Sequence, residues 1–290
     1  EEGTPQGGII SPTLANIAGH NELAFDERFT KTLDKENVAY ETLGLYAVDA
    51  VPEDAHGIIL NAPTSDYSAD DVEKVLAYLE KGGNALIIPT WTTESMTNFE
   101  QILSYYGVSV VEGMIVENEP DHYYQSPYYL FPNIESTDIT ARVQNGMVFA
   151  PFSRGLIYDD DSDVYYQPFL TTSESAYSKA DMSASEDFSK SDADIDGPFV
   201  IGMKAEKYTQ SGDTSQAVIL ATEQMFTANA DDVVPGYNVK LFGSVFGSLT
   251  QREDSVSVPV KYYEIGNLAF TARAVYIIGI ISIIILPTTY

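Results

Sequence analysis

Residues 51–89 decide the fold of this chain, and they read VPEDAHGIILNAPTSDYSADDVEKVLAYLEKGGNALIIP. Residues 57–60 and 85–88 are short apolar runs bounded by Pro, Gly and Asn, a pattern typical of buried parallel strands. Between these runs, apolar side chains recur at the spacing of one helix face: Val72, Val75, Leu76 and Leu79. A strand, a helix and a second strand in this order predict the crossover unit of an α/β domain with a parallel sheet.

The sequence also marks both ends of this helix. Ser68 and Asp71 form a capping box, which places a carboxylate at the positive end of the helix. Gly82 and Gly83 supply the left-handed residue with which helices commonly end. The pattern therefore predicts a helix over residues 69–81 that packs on the sheet. Further strands of the same sheet are predicted at residues 199–203 and 217–222.

The chain is strongly acidic. Its 290 residues include 43 acidic and 15 basic side chains, for a formal net charge of −28. Nucleic acid is excluded as a partner, because its binding requires Lys and Arg to neutralise phosphates. Neutral glycans and basic proteins are compatible partners. The chain has no cysteine, which excludes disulfides, thiolate metal sites and cysteine nucleophiles within it.

Four segments carry a resemblance to a known family. They are GHNE at residues 19–22, the segment at 51–88, FEQILSYYGVSVVEGMIVE at 99–117 and YYLFPNIESTDIT at 128–140. From about Ile17 onward the chain resembles the extracytoplasmic auxiliary domain of gliding-motility-type ABC transporters. The resemblance implies a class I glutamine-amidotransferase-like sheet, a location at the bacterial cell membrane with the globular part outside the cytoplasm, and ABC permease and ATPase subunits as partners.

The local composition of the sequence and the family resemblance together divide the chain into predicted parts. These are a leader at 1–16, an α/β sheet domain at 17–117 and 199–250, a Tyr-rich and acidic β-rich insertion at 118–198, a linker at 251–270, and a truncated transmembrane helix at 271–290.

The leader has a resemblance of its own. Residues 3–17, GTPQGGIISPTLANI, resemble a reverse-transcriptase motif of group II introns. The paired-aspartate motif of those polymerases is absent, and polymerase chemistry requires carboxylates that bind two metals. We therefore interpret residues 1–16 as a foreign or chimeric leader and expect its removal to change stability little.

The C-terminal residues 274–286 read AVYIIGIISIIIL. This apolar run is shorter than the ~20 residues that span a bilayer, so a buried strand or helix is the alternative on length alone. Arg273 stands at its start, as an interfacial anchor would. Because family members continue through a full span here, we expect the run to be part of a membrane helix.

The first candidate site lies in the GHNE segment, after a predicted strand, where α/β proteins commonly form their sites. His20, Asn21 and Glu22 are the predicted ligand- or partner-binding residues. The alternative role for His20 is a hydrogen bond that caps the loop.

The second candidate site lies in the insertion. His122, Tyr123 and Tyr124 belong to the segment DHYYQSPYY and are predicted to bind a glycan or a protein. Tyr clusters stack on sugars or on a partner's surface, and tyrosines that fill a core are the alternative.

A metal site is the weakest of these interpretations. Asp192, Asp194 and Asp196 precede a glycine as D-x-D-x-D-G, the first half of an EF-hand loop. Position twelve of that loop is Met203 instead of the bidentate Glu. We therefore expect no cofactor, with calcium as the minor alternative.

Catalytic motifs are missing from the sequence. A class I amidotransferase requires a cysteine, and neither a G-x-S-x-G elbow nor a phosphate-binding P-loop is present. The prediction is a non-catalytic module of a membrane ABC-type transport complex that binds a partner or ligand. Two alternatives stay open: a degenerate or unrecognised hydrolase that uses His20 and Glu22, and a membrane-anchored solute-binding protein.

Overall fold

The computed structural model describes residues 12–159, 163–182 and 188–250. Within them the helices are α1 (Glu27–Lys35), α2 (Ala69–Glu80), α3 (Thr97–Tyr105), α4 (Ala228–Val233) and α5 (Tyr237–Leu249). The strands are β1 (Thr13–Ala18), β2 (Ala39–Gly44), β3 (Ala55–Asn61), β4 (Ala85–Ile88), β5 (Val108–Val110), β6 (Met114–Val116), β7 (Tyr123–Tyr124), β8 (Ser126–Leu130), β9 (Asn133–Ile134), β10 (Ala150–Pro151), β11 (Leu156–Tyr158), β12 (Val164–Thr171), β13 (Tyr177–Lys179), β14 (Ile195–Asp196), β15 (Val200–Tyr208) and β16 (Thr214–Leu220).

The centre of the fold is a mostly parallel sheet. In the order β2–β1–β3–β4–β16, every neighbouring pair of strands runs parallel. Beyond β16 the sheet continues antiparallel through β15 to β11 and β5, with β12 and β9 also attached. The sequence prediction of an α/β fold with a mostly parallel sheet is confirmed, because residues 58–60, 86–88 and 218–220 lie on neighbouring parallel strands.

Helix α2 begins where the sequence predicts and ends one residue earlier. The Ser68 hydroxyl accepts a hydrogen bond from the Asp71 N–H at 3.1 Å, which completes the N-cap. Gly82 has a φ of 84° and ends the helix in the left-handed conformation. The helix joins β3 to β4 and buries Val72, Val75 and Leu79.

Two hydrophobic cores lie on opposite faces of the sheet. Ile59 belongs to one core, whereas Ile58 and Leu60 belong to the other, because successive strand side chains point to opposite faces. The core that includes Ile58 lies under α2 and α3, and the core that includes Ile59 lies under α1 and α5. The core under α1 and α5 contains a network of aromatic rings: Phe25, Phe29, Phe226, Phe242 and Phe246.

We expect Val75→Asp to lower the free energy of unfolding by about 3 kcal/mol or more, because it places an unpaired charge in the core under α2. Val75 is fully buried. Ala77→Asp on the exposed side of the same helix is the matched control and should cost less than about 1 kcal/mol. Urea denaturation followed by circular dichroism measures both, and equal losses would contradict the packing of α2 on the sheet.

The structure corrects the boundary of the leader. Thr13–Ala18 form β1, which lies between β2 and β3, so the boundary at residue 16 falls inside a central strand. Leu14 and Ile17 are fully buried. The polymerase-like sequence has apolar residues at the positions that a buried strand needs, so residues 13–16 are part of the sheet domain. Residues 1–11 lie outside the described residues, and the origin of the segment stays a prediction.

The predicted insertion at 118–198 is rich in short strands, but it is continuous with the main sheet. Strand β12 pairs with β15 from Val164 to Thr171, and β11 pairs with both β5 and β15. Strand β9 pairs with β12, and the other strands of the insertion belong to two small sheets, β10–β8–β7 and β14–β13–β6, the second of which includes β6 from before the insertion. The insertion therefore extends the central sheet and also contributes strands to two small sheets.

No helix within residues 12–159, 163–182 and 188–250 is long and apolar enough to cross a membrane. The predicted linker at 251–270 and the predicted membrane helix at 271–290 lie outside the described residues.

Candidate functional site

The loops after β1 and β3 meet at the carboxyl edge of the parallel sheet. In a sheet with this strand order, the junction between β1 and β3 is the point at which α/β folds commonly hold a ligand. The main-chain N–H groups of Thr64 and Ser65 both donate to the His20 carbonyl at 3.1 Å. These bonds tie the loop after β3 to the loop after β1.

His20 lies between two carboxylates at this junction. Its Nδ1 is 2.8 Å from Glu22 Oε1, and its Nε2 is 3.2 Å from Asp71 Oδ2. His20 and Asp71 are each only 7% exposed. A neutral imidazole has one N–H and can donate to only one of these acceptors, whereas the protonated ring donates to both. The geometry therefore fits an imidazolium with two carboxylate partners.

Tyr67 covers the imidazole ring of His20. The two ring centroids are 3.7 Å apart with an angle of 10° between the planes, and a cation on an aromatic face is attracted to it. The Tyr67 hydroxyl donates to Glu22 Oε1 at 3.4 Å, and Tyr67 is 2% exposed. Side chains of the protein itself thus enclose the imidazole ring of His20. We name His20, Glu22, Tyr67 and Asp71 the junction cluster.

The local backbone positions both carboxylates. Asn21 has a φ of 56°, which turns the chain so that Glu22 Oε2 accepts from the N–H groups of Gly19 at 3.0 Å and His20 at 2.9 Å. Asp71 stands in the first turn of α2, where the helix dipole favours a negative charge. Its Oδ2 also accepts from the Ser68 hydroxyl at 2.6 Å. Each carboxylate is therefore held in place by hydrogen bonds other than those to the His20 ring.

The junction cluster shifts the titration of its members. Burial lowers the pKa of His20, but the hydrogen bonds and charges of Glu22 and Asp71 raise it more, so that it lies above its ordinary 6.5. Burial raises the pKa of Glu22, and the hydrogen bonds from His20 outweigh this effect and hold it below 4.5. The pKa of Asp71 is below 3.8, because bonds from Ser68 and His20 outweigh its burial. All three groups are charged just below pH 6.5.

We expect the junction cluster to stabilise the fold most between about pH 4.5 and 6.5. The raised pKa of His20 gives stabilisation that is complete below 6.5 and is lost as the pH rises through the folded-state pKa. The lowered pKa values of Glu22 and Asp71 give stabilisation that is lost as the pH falls through theirs. Urea denaturation at pH 5.5 and 8.5 should show a smaller decline for His20→Gln than for the wild type, and equal declines would contradict the assignment.

The structure places the predicted residues of the first site as follows. His20 and Glu22 are in direct contact, and Asn21 is exposed with its Nδ2 at 3.4 Å from Ser65 Oγ. Asp71 and Tyr67 were not among the residues predicted for this site. Asp71 was visible as a helix cap, but no sequence signal shows that the same carboxylate also contacts His20. The His20 ring faces these partners, and its carbonyl ties the two loops.

The residues of the second candidate site lie near the start of the insertion. His122 ends a short 3₁₀ turn, and its Nε2 is 3.9 Å from Glu119 Oε2. Tyr123 is half-buried, whereas Tyr124 is 41% exposed, and its ring lies 6.2 Å from that of Phe149 at an angle of 87°. The structure therefore leaves Tyr124 available at the surface.

The three aspartates of the EF-hand-like segment make separate contacts. Asp194 accepts from the N–H groups of Ala180 at 3.1 Å and Ser191 at 2.8 Å, and Asp196 pairs with Lys190. Asp192 is exposed. In the part of the chain that the structure describes, no three His, Asp or Glu side chains are grouped so that they could hold a metal ion.

A cleft of about 430 Å³ lies at the opposite, amino edge of the sheet. Its lining includes Val51, His56, Lys74, Tyr78 and Leu249. The Lys74 ammonium is already bound to the Leu45 carbonyl at 3.0 Å and to Asp70 at 2.6 Å. The Tyr78 hydroxyl donates to the Ala55 carbonyl at 3.1 Å. These polar groups therefore stabilise the fold around the cleft.

No protein-family model and no curated protein matches the chain. Among solved structures, the mmIFT52 N-terminal domain is 19% identical with a TM-score of 0.58, and the match covers 83% of this chain and 98% of that one. A ThuA-like protein from Bacteroides uniformis is 13% identical over 87% of this chain and 98% of that one, with a TM-score of 0.43. A glutamine amidotransferase from Thermotoga maritima is 10% identical over 83% and 99%, also with a TM-score of 0.43. The first likeness shows a shared fold.

Proposed function

We propose that this chain is a non-catalytic, extracytoplasmic auxiliary module of a membrane ABC-type transport complex and that it acts by binding a partner or ligand. The junction cluster supports the non-catalytic part of this proposal. Both ring nitrogens of His20 are engaged by carboxylates, and Tyr67 covers the ring. A general base needs an unshared nitrogen within reach of a substrate proton, and His20 has no such nitrogen in this arrangement.

The composition of the chain supports a binding role. The chain has no cysteine, so a class I amidotransferase-like sheet here would lack the nucleophile of that chemistry. The G-x-S-x-G elbow of serine hydrolases is also absent. A net charge of −28 favours basic or neutral partners over nucleic acid.

The place in a transport complex rests on the family resemblance of the GHNE segment and of residues 51–88, 99–117 and 128–140. In this proposal the chain is held at the bacterial cell membrane through residues 271–290, and the permease and ATPase subunits are its partners. The globular part lies outside the cytoplasm, where its carboxyl-edge loops and its tyrosine-bearing insertion face those partners or a glycan.

Affinity purification of the native, membrane-embedded protein tests this proposal. We expect the tagged full-length protein, solubilised in mild detergent, to retain a permease and an ATPase of the ABC class, identified by mass spectrometry. An unrelated single-span membrane protein carrying the same tag is the control. Recovery of the protein without those subunits, under conditions that preserve other ABC complexes, would count against it.

A hydrolase is the second candidate, favoured by the 2.8 Å contact between His20 Nδ1 and Glu22. That contact resembles an acid–base pair in which the carboxylate orients the imidazole. We expect no turnover of ester, glycoside, amide or nucleotide substrates. Turnover that disappears in a folded His20→Gln variant, but persists in His56→Gln, would support the hydrolase instead.

A further inference from the structure

An aromatic cluster reaches the surface of the insertion. Phe149 is 5% exposed, and its ring centroid lies 6.2 Å from that of Tyr124, 6.0 Å from that of Tyr129 and 5.7 Å from that of Phe131. Tyr124 is 41% exposed, and Tyr129 and Phe131 are half-buried. We name Tyr124, Tyr129 and Phe131 the aromatic platform.

The backbone and α5 hold this platform in place. The Phe131 N–H donates to the His122 carbonyl at 2.7 Å, and β8, which contains Tyr129, pairs with both β7 and β10. Asn238 on α5 is fully buried and makes hydrogen bonds to both main-chain groups of Phe149, at 3.0 and 2.8 Å. Because the platform is already ordered, a partner loses little binding energy to ordering it.

Two acidic residues precede the platform closely in the chain. The turn Pro120–His122 directly precedes β7, and both Glu119 and Asp121 are exposed there. Glu119 has weak contacts at 3.9 Å to His122 and 3.4 Å to Ser175. Asp121 has no ion pair or side-chain hydrogen bond with any residue that the structure describes. Two exposed carboxylates therefore lie on or directly before the turn whose last residue, His122, accepts the hydrogen bond from Phe131.

We propose that the aromatic platform, with Glu119 and Asp121, is the docking surface for an arginine-bearing segment of a partner protein. A guanidinium stacks on aromatic rings and pairs with carboxylates in a bidentate geometry, which an ammonium does not do. The net charge of −28 attracts a basic partner and repels an acidic one. This inference rests on the proposed function, because it names the chemistry of the partner that the module binds.

The test uses the full-length protein and three synthetic peptides of equal length: a Gly-Arg repeat, a Gly-Lys repeat and a Gly-Gln repeat. Fluorescence anisotropy at physiological salt measures the dissociation constants. We expect the Arg peptide to bind about threefold or more tighter than the Lys peptide, and the Gln peptide not to bind. Tyr124→Ser and Asp121→Asn should each weaken binding of the Arg peptide by about fivefold.

Matched controls separate docking from general charge attraction. Tyr208→Ser removes a tyrosine that is 72% exposed on β15, and Asp54→Asn removes an exposed carboxylate before β3, so both should leave affinity unchanged. Melting temperatures check that each variant is folded. If the Tyr124→Ser variant has a lowered melting temperature, the affinities of Asp121→Asn and Asp54→Asn for the Arg peptide are compared instead.

Three results would overturn the proposal: no binding of the Arg peptide, equal affinity for the Arg and Lys peptides, or equal losses in the platform and control variants. If the native complex still contains its permease and ATPase while any of these results is obtained, the docking inference fails and the proposed function stands. If the platform binds arginine as expected but no ABC subunit is recovered, the proposed function fails alone.

Discussion

Leu14→Asp should abolish folding or lower the free energy of unfolding by about 4 kcal/mol or more, because it places a charge in the core with no partner. Leu14 is fully buried in the core under α1 and α5, on a strand that has neighbours on both sides. Since whole domains are stable by only about 5–15 kcal/mol, this single change removes much of the margin. Urea denaturation followed by circular dichroism gives the free energy of unfolding.

Thr42→Asp is the matched control, because it introduces the same side chain at an exposed position on the adjacent strand β2. We expect it to cost less than about 1 kcal/mol. Deleting residues 1–16 should also abolish cooperative unfolding, because β2 would lose β1, its sheet neighbour. A Leu14→Asp protein as stable as Thr42→Asp would show that β1 does not lie inside the sheet.

His20→Ala should destabilise the protein by about 3 kcal/mol, because it leaves Glu22 and Asp71 buried without their common cation. The variant also removes the stacking surface of Tyr67 and leaves a small cavity. Thermal and urea denaturation at pH 6 measure the loss, at a pH where the junction cluster contributes most.

Two further variants make this result specific. His56→Ala makes the same substitution at an exposed histidine and should cost less than about 1 kcal/mol. Adding Asp71→Asn to His20→Ala should recover part of the stability, because one uncompensated buried charge is then removed. Equal losses in His20→Ala and His56→Ala would contradict the buried ion-pair assignment.

The sequence predicted the centre of the fold because local signals agreed there. In residues 51–89 the apolar periodicity, the cap at Ser68 and the terminal glycines all specify the same strand–helix–strand unit. The predicted leader boundary at residue 16 fell inside β1, because the resemblance of residues 3–17 to a polymerase motif extends over the strand's apolar residues Leu14, Ala15 and Ile17. Strand pairing across the insertion was not predictable either, since the partner of β12 is chosen by long-range packing.

Of the candidate site, only the residues that are close together in the sequence were predicted. His20 and Glu22 stand two positions apart, so their contact was a reasonable hypothesis. Asp71 and Tyr67 follow β3, two strands further along the chain than β1. They contact His20 only because β1 and β3 lie side by side in the sheet. The protonated state of His20 likewise follows from carboxylates that the fold supplies.

The pairing of β16 with β4 has a consequence for biosynthesis. Strand β4 can pair with β3 as soon as both have left the ribosome. Its other neighbour, β16, is translated much later, and in the folded protein Ala85 lies opposite Ala217. Until then an apolar strand with an open edge is exposed, which is a template for pairing with other chains. Nascent chains that stop before residue 214 should therefore depend on chaperones and aggregate when these are limiting, because the sheet can be completed only after β16 has been translated.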